Sequence, residues 1–190
     1  METQTVPQSD TRPTFETARL ILRPFRLEDA KTVQRLAGDK VISDLTGTIP
    51  YPYPDGLAES WIQKHPEHFA TGVGLTMAVT LKETGELIGC VGIMIAKTHQ
   101  KGEIGYWLTP QHWSKGYITE ASRVCVDFAF KNMGLNKITS RHLTHNPASG
   151  KVMQKIGMKH EGTLRQETFK NGAFYDLDVY GLLKSEFLTT

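Results

Sequence analysis

The chain has almost no excess of either charge and no long apolar run. Its 190 residues include 22 Lys and Arg against 20 Asp and Glu, which gives a formal net charge of +2. The basic residues are scattered rather than clustered, so the sequence carries no electrostatic footprint for nucleic acid. No apolar stretch approaches the roughly 20 residues that span a bilayer, and the first residues are polar where a signal peptide would be apolar. We therefore expect a cytoplasmic protein with neither a nucleic-acid nor a membrane partner.

Cysteine is also scarce, because the sequence contains only Cys90 and Cys125. Cys90 lies in a strand-like apolar run and Cys125 on an apolar helix face, surroundings typical of reduced core residues rather than of a disulfide. An apolar helix face tends to raise the pKa of a thiol, and no base is evident beside Cys125. A covalent acyl-enzyme through Cys125 is therefore disfavoured.

The histidines do not form a metal-binding pattern. His142 and His145 are placed on a strand, where side chains three residues apart face opposite sides of the sheet. His65 and His68 could share a helix face, but Pro66 lies between them and no cysteine or paired carboxylate completes a tetrahedral set. We therefore predict no metal site.

The spacing of apolar residues predicts alternating strands and helices. A length of 190 residues favours one domain, which we place at 17–190 after a disordered tail at 1–16. Strands are predicted at 19–25, 75–81, 87–95, 104–108, 137–143, 162–169 and 174–182, and helices at 30–37, 57–70, 119–133 and 147–156. Asn171-Gly172 is the strongest hairpin signal and joins the last two strands. The fold class is therefore α/β, in the mixed α+β sense.

One segment combines a strand, a glycine loop and a helix start in direct succession. Apolar residues alternate over 104–108 as in a strand, Pro110 stops it, and Gly116 lets the backbone approach a ligand closely. A helix is predicted to begin near Thr119. Its first N–H groups are unpaired, and the positive end of the helix dipole and Lys115 lie beside them. This arrangement suits a phosphate or pyrophosphate.

The loop does not match the common nucleotide-binding motifs. A P-loop has two glycines at fixed spacing and then Lys followed by Ser or Thr, whereas Lys115 here precedes Gly116. The glycines between positions 89 and 105 do not give the triple-glycine spacing of the dinucleotide fingerprint, and no helix pattern opens directly after them. With both motifs excluded, the segment is still predicted to bind a pyrophosphate, mainly through backbone N–H groups.

The segment Trp113-Ser-Lys-Gly-Tyr-Ile118 resembles the coenzyme A pyrophosphate loop of the GNAT superfamily of acyl-CoA N-acyltransferases. It has the form used by the RimJ/RimL-like branch, which acetylates protein N-termini and assorted small amines. Trp113 stands where the wider superfamily prefers Gln or Arg, and Ile118 stands where it prefers a small residue. The backbone N–H of Ile118 can still donate if the side chain points away. The resemblance covers roughly residues 17–183.

A second block, Asn146–Met158, is similar to the family's N-x-x-S helix followed by a strand entry. Helix capping alone would also explain much of it, because Asn146 is a good N-cap, Pro147 suits the first helical position and Gly157 is a good stop signal. The resemblance adds that Asn146 contacts the pantetheine arm and that Ser149 lies near the thioester sulfur. The alternative for Ser149 is a solvated helix serine.

The resemblance implies both a fold and a cofactor. The fold would be a GNAT-like mixed, mostly antiparallel sheet of about seven strands, splayed between strands 4 and 5 and flanked by about four helices. The cofactor would be acetyl-CoA, held by the strand end, the loop and the following helices. The residues implied are Trp107, Leu108, Thr109, Trp113, Ser114, Lys115, Gly116, Tyr117, Ile118, Thr119, Asn146 and Ser149. The function would be direct transfer of an acetyl group to a primary amine in a ternary complex, the alternative being a non-catalytic acyl-CoA-binding module.

Acyl transfer requires a neutral amine, so a base is useful. Glu103 is the first candidate because it lies at the start of the strand that leads to the cofactor loop, although it could be an ordinary surface carboxylate. Glu167 is the reserve. Much of the superfamily protonates the leaving thiolate with a tyrosine at the position of Met153, and Ser149 is the replacement that this branch suggests.

The acceptor is the least determined partner. Residues 46–54 contain three prolines and two tyrosines, which forbid regular structure and make this segment a candidate substrate loop. The tyrosines could flank an incoming amine or could simply pack on the core. The amine could belong to a protein N-terminus or to a small molecule. The branch often forms dimers, so a homodimer is possible.

Overall fold

The structure is a computed structural model that describes residues 11–187, and these are organised around one mixed sheet. Its strands are β1 Phe15–Glu16, β2 Leu20–Pro24, β3 Gly74–Leu81, β4 Leu87–Ala96, β5 Lys101–Leu108, β6 Lys137–Leu143, β7 Lys159–Lys170 and β8 Ala173–Leu183. Their order across the sheet is β1-β2-β3-β4-β5-β6-β8-β7. All seven predicted strands are confirmed, and so is the hairpin at Asn171-Gly172, where both residues have positive φ.

Helices cover the sheet as α1 Ala30–Ala37, α2 Lys40–Leu45, α3 Leu57–Gln63, α4 His65–Ala70, α5 Tyr117–Asn132, α6 Pro147–Lys155 and α7 Lys184–Phe187. The four predicted helical regions are confirmed, but the one at 57–70 is divided into α3 and α4. Pro66 explains the division, because it has no N–H to donate to the carbonyl four residues earlier. The longest of these helices, α5, has 16 residues, so within residues 11–187 no helix is long and apolar enough to cross a bilayer.

Two apolar cores lie on opposite faces of the sheet, as the alternation of side chains along the strands requires. In β5, Ile104 and Leu108 belong to the core under α5 and α6, whereas Trp107 belongs to the core under α1 and α3. The N-terminal half of β4 is buried on both faces, which explains its unbroken apolar sequence. Cys90 and Cys125 are both free and buried, and burial raises the pKa of the Cys125 thiol to about 12. The prediction of reduced core cysteines is confirmed.

The sheet opens between β5 and β6, which form its one parallel pair in the described chain. This pair contains three residue matches and ends at Glu103 opposite Thr139. β5 remains paired with β4 as far as Leu108, and β6 remains paired with β8 as far as Leu143. The two strands therefore diverge, and the edge of β5 beyond Glu103 has no strand partner. Counted from β2, this is the splay predicted between strands 4 and 5, and that prediction is confirmed.

The beginning of the described chain differs from the prediction. Residues 1–10 of the predicted tail lie outside the described residues. Phe15 and Glu16, which we also placed in the tail, form β1 and pair with Leu22 and Ile21 of β2. The Phe15 ring packs against Phe128 of α5, with ring centroids 5.1 Å apart. Two residues are too short for a recognisable alternation, which is why the sequence pattern did not reveal this strand.

Candidate functional site

The loop after β5 leads from the open end of the splay to the N-terminus of α5. A 3₁₀ turn at Pro110–His112 follows the strand, and the Trp113 indole N–H donates to the Leu108 carbonyl at 2.7 Å. The helix begins at Tyr117, two residues before the predicted start. Gly116 explains the difference, because its left-handed conformation, with φ of 80°, completes the turn and lets the next residue be helical.

The first N–H groups of α5 are available to a ligand. The first intrahelical bond runs from the Glu120 N–H to the Gly116 carbonyl at 3.0 Å, so the N–H groups of Tyr117, Ile118 and Thr119 have no intrahelical acceptor. Gly116, the N-cap, has no side chain that could bind them. The Ile118 side chain is buried in the core, so it points away as expected. With Lys115 exposed beside them, these groups fit a pyrophosphate.

Across the splay, Tyr106 of β5 contacts Ser149 of α6. The Tyr106 hydroxyl donates to the Ser149 carbonyl at 3.0 Å, and the two hydroxyl oxygens are 3.1 Å apart. Burial raises the pKa of Tyr106, so the phenol stays protonated at neutral pH. Ser149 is therefore part of a bridge between the two sides of the splay. The alternation predicted over 104–108 puts Tyr106 on the same face of β5 as Ile104 and Leu108 but does not reveal its partner.

Asn146 caps α6 and also contacts the segment on the opposite side. Its side-chain oxygen accepts from the Ser149 N–H at 3.4 Å, as expected of an N-cap. Its side-chain NH₂ donates to the Leu45 carbonyl at the end of α2, at 3.0 Å. The side chain thus connects α6 to the end of α2, directly before the predicted substrate loop.

Glu103 lies at the vertex of the splay in an ion pair that the sequence did not reveal. Its carboxylate accepts two hydrogen bonds from Arg141 of β6, at 2.8 and 3.0 Å. Glu167 of β7 is 4.0 Å from the same guanidinium. The hydrogen bond that Arg141 donates to Glu103 is the largest of the effects that raise the pKa of Arg141, so the guanidinium remains charged. The two candidate bases are thus brought together by one arginine, and both oxygens of Glu103 are already occupied.

Lys170, at the end of β7, binds the predicted substrate loop at 46–54 and the end of α2 before it. The Lys170 ammonium donates to the carbonyls of Ser43, Thr46 and Ile49, at 2.5, 2.7 and 2.9 Å. Burial lowers its pKa. Tyr53 packs against the core under α1 and α3, whereas Tyr51 is 49% exposed. One tyrosine of the loop is therefore a packing residue and the other is free to contact an acceptor.

His142, His145 and His65, from the two histidine pairs in the sequence, make separate contacts. His142 is buried, and its Nδ1 is 2.8 Å from the Leu143 carbonyl, whereas the Nε2 of His145 is 3.1 Å from the Asp44 carbonyl. His65 is buried against the rings of Phe25 and Trp61. Within residues 11–187, no group of three or more His, Cys, Asp or Glu side chains is placed to hold a metal ion.

Comparison with known proteins defines the class to which this site belongs. A family model of the acetyltransferase (GNAT) domain matches residues 19–159. The uncharacterized N-acetyltransferase YoaA of Bacillus subtilis (strain 168) is 32% identical over 173 residues, which cover 90% of this chain and 97% of the relative. The chain therefore belongs to the GNAT acetyltransferases. It is an N-acetyltransferase, and its cofactor is acetyl-CoA.

Solved structures share the same fold. A GNAT-family acetyltransferase from Bacillus anthracis superposes with a TM-score of 0.81 at 23% identity. The superposition covers 92% of this chain and 100% of that one. A spermidine N-acetyltransferase from Vibrio cholerae, solved in complex with CoA and spermine, gives 0.77 at 23% identity over 90% of this chain and 99% of that one. These likenesses establish the architecture, including the mixed sheet with flanking helices.

The contact between α6 and the sheet generates a prediction about Gly150. Replacing a helical glycine with alanine ordinarily stabilises by about 1 kcal/mol. Here the new Cβ would lie 2.7 Å from the His142 Nε2 and 3.2 Å from the Tyr180 hydroxyl, both on buried side chains. We expect Gly150→Ala to destabilise the protein by about 1 to 3 kcal/mol, since overpacking outweighs helix propensity.

Thermal unfolding measures this effect. Lys151→Ala, an exposed substitution at the next position of α6, serves as the control and should change the stability by no more than about 0.5 kcal/mol. An unfolding temperature of Gly150→Ala equal to or above that of the unaltered protein would show that α6 is not seated on His142 as described.

Proposed function

We propose that the protein transfers the acetyl group of acetyl-CoA directly to a primary amine, in a ternary complex at the splay between β5 and β6. One observation supports this most strongly. The partnerless edge of β5 leads through the loop at 109–116 to the N–H groups at the start of α5 that have no intrahelical acceptor. A pantetheine arm could bond to the edge of β5, and a pyrophosphate could bond to the N–H groups of α5. We also propose membership of the RimJ/RimL-like branch, on the sequence of the cofactor loop and of the Asn146 block.

The cofactor would be held mainly by backbone groups. Of the predicted strand-end residues, Leu108 would present its backbone to the pantetheine arm at the open edge. The Thr109 N–H already donates to the Ile88 carbonyl at 2.9 Å, and the alternation of an antiparallel pair directs the backbone groups of Trp107 to β4 as well. The loop from Trp113 to Gly116, followed by the first turn of α5 from Tyr117 to Thr119, would bind the pyrophosphate. The bound cofactor supplies the acetyl group as an activated thioester. A backbone N–H aimed at its carbonyl oxygen would stabilise the developing charge by roughly 3 to 4 kcal/mol.

Ser149 would donate a hydrogen bond toward the departing sulfur. The position at which much of the superfamily has a tyrosine is Met153, which is buried in the core. Tyr106 has one hydroxyl hydrogen and donates it to the Ser149 carbonyl, so the Ser149 hydroxyl donates to the Tyr106 oxygen. Rotation of the Ser149 hydroxyl redirects this hydrogen without moving either residue. A serine hydroxyl is a poor acid, so its role would be hydrogen bonding rather than full proton transfer.

Glu103 would serve as the base, acting through water. Both of its oxygens accept from Arg141, so an incoming amine would reach it through a bridging water rather than by direct contact. An α-amino group with a pKa near 8 needs less help than a lysine side chain near 10.4. Glu167 is the alternative, since it approaches the same arginine.

The acceptor would enter on the side of the 46–54 loop, where Tyr51 is exposed. We propose a primary amine, either the α-amine of a protein N-terminus or a small molecule. A relative of the same fold was solved with spermine, which supports the small-molecule case. The branch assignment supports the protein case.

Thiol release from acetyl-CoA across a panel of amines tests the proposed function. The panel compares peptides with free N-termini, the same peptides with blocked N-termini, and polyamines. We expect saturating acetyl-CoA to raise the unfolding temperature, since a ligand that binds only the folded state stabilises it. Thiol release should require a free primary amine. A rise in unfolding temperature without release for any amine would instead indicate a non-catalytic acyl-CoA-binding module.

The base assignment predicts a pH-dependent effect of Glu103→Gln. At pH 7 the rate of acetyl transfer should fall roughly a hundredfold, within the usual range for loss of general base catalysis. The loss should shrink as the pH rises toward the pKa of the acceptor amine, because the amine is then already neutral. Glu167→Gln, which alters the alternative base beside the same Arg141, is the comparison variant: a larger loss there than in Glu103→Gln would assign the base to Glu167. A pH–rate profile that Glu103→Gln leaves unchanged would remove Glu103 from the mechanism.

The anchoring of the 46–54 loop predicts a separate effect of Lys170→Met. Three carbonyls would lose their donor, so the loop should become less ordered and the KM for the acceptor should rise roughly tenfold. The affinity for acetyl-CoA should stay the same, because the cofactor loop is not in contact with Lys170. Lys64→Met removes a charge from an exposed lysine and is the control. An equal loss of affinity for both substrates would mean that Lys170 supports the whole fold rather than the acceptor loop.

A further inference from the structure

Arg19, in the turn between β1 and β2, reaches across to the cofactor loop. Its Nε donates to the Glu120 carboxylate at 2.8 Å, and a second guanidinium nitrogen lies 2.7 Å from the same oxygen. A third nitrogen donates to the Lys115 carbonyl at 2.9 Å. The guanidinium plane also lies over the Tyr117 ring, 4.5 Å from its centroid. One side chain thus contacts the loop, the first helical residue and the first turn of α5.

The contact with Lys115 fixes the direction of one peptide group. A trans peptide is planar, so its carbonyl and N–H point in opposite directions. Because the Lys115 carbonyl points toward Arg19, the N–H of Gly116 in the same peptide points away from Arg19. The guanidinium also lies against Gly116, since a Cβ there would be 3.4 Å from the guanidinium. Arg19 therefore supports the loop from one side and leaves the Gly116 N–H directed to the other.

Arg19 also neutralises an acid close to the cofactor loop. Glu120 is in the first turn of α5, where its charge would repel a diphosphate. Its carboxylate is bound by the Arg19 side chain, by the Arg19 N–H at 3.1 Å and by the Thr17 hydroxyl at 2.6 Å. Burial alone would raise the pKa of Glu120, but the hydrogen bonds from Thr17 and Arg19 together lower it. The acid is therefore ionised at neutral pH, and Arg19 is the cation that offsets it.

We propose that Arg19 is a positioning residue for acetyl-CoA. It holds the Lys115 carbonyl and the Tyr117 ring so that the loop N–H groups face the pyrophosphate, and it offsets the charge of Glu120, without being the main ligand of the cofactor itself. This inference rests on the proposed function, because it takes the Trp113–Thr119 segment as the pyrophosphate loop.

Arg19→Gln is the first test, with CoA binding measured by titration calorimetry. We expect CoA to bind about tenfold more weakly or worse, because a charge-assisted contact and the offset of Glu120 are both lost. The kcat at saturating acetyl-CoA should stay the same. Arg19→Lys keeps the charge but not the planar guanidinium or its stacking on Tyr117. Its affinity for CoA should lie between those of Arg19→Gln and the unaltered protein. Arg35→Gln, which neutralises an exposed arginine on α1, should not change CoA binding.

An acyl donor that lacks the pyrophosphate shows whether Arg19 positions the pyrophosphate loop or supports the whole fold. With S-acetylpantetheine as the acyl donor, kcat/KM should be the same for Arg19→Gln and the unaltered protein. Equal losses with both donors, accompanied by a lower unfolding temperature, would overturn the proposal. The double variant Arg19→Gln with Glu120→Gln should recover part of the CoA affinity, since the uncompensated acid is removed. No recovery would overturn the electrostatic half of the proposal.

Gly116→Ile distinguishes this proposal from the loop assignment beneath it. If Gly116→Ile weakens CoA binding and Arg19→Gln does not, the loop assignment stands and the role of Arg19 is wrong. If neither substitution weakens CoA binding, the loop is not the pyrophosphate site and both proposals fail.

Discussion

The divergence of β5 from β6 after three matched residues is the constraint on which the rest of the site depends. Parallel neighbours are normally paired along their length, and an unpaired edge in the middle of a sheet exposes backbone donors and acceptors. Here the unpaired edge lies between Glu103 and the end of β5. Within residues 11–187, this open edge is the stretch of backbone in the sheet interior at which we propose that an extended ligand pairs as another strand would.

Side chains keep the two diverging strands at a defined distance. At the vertex, the Ser140 hydroxyl donates to the Ile104 carbonyl at 2.8 Å, in the place of a backbone bond. On one face Arg141 binds Glu103, and on the other Tyr106 binds Ser149. These three bridges link the two strands across the opening. A defined separation favours the orientation of two substrates, because small displacements of reacting groups reduce the rate strongly.

Local signals in the sequence predicted the parts of the structure that local chemistry determines. Pro110, Gly116 and Asn171-Gly172 indicated where a strand stops, a loop turns and a hairpin closes, and the structure confirms each. The predicted start of α5 was wrong by two residues. β1 was missed because a strand of two residues is too short to show an alternation of apolar and polar side chains. The bridges across the splay were not predictable, since Arg141 and Glu103 are 38 residues apart and Tyr106 and Ser149 are 43 apart. The resemblance to a family supplied the splay, but no pattern within the chain indicated which side chains would span it.

The anchoring by Lys170 has a wider consequence. The loop on the acceptor side is held from the hairpin end of the sheet, whereas the cofactor loop is held at the opposite end by Arg19. Asn146 is the residue that contacts both α6 and the acceptor-side segment. Apart from this contact, separate anchors hold the two proposed substrate sites. Such a scaffold can exchange one substrate for another by remodelling a hairpin tip, while the machinery for the shared cofactor keeps its shape.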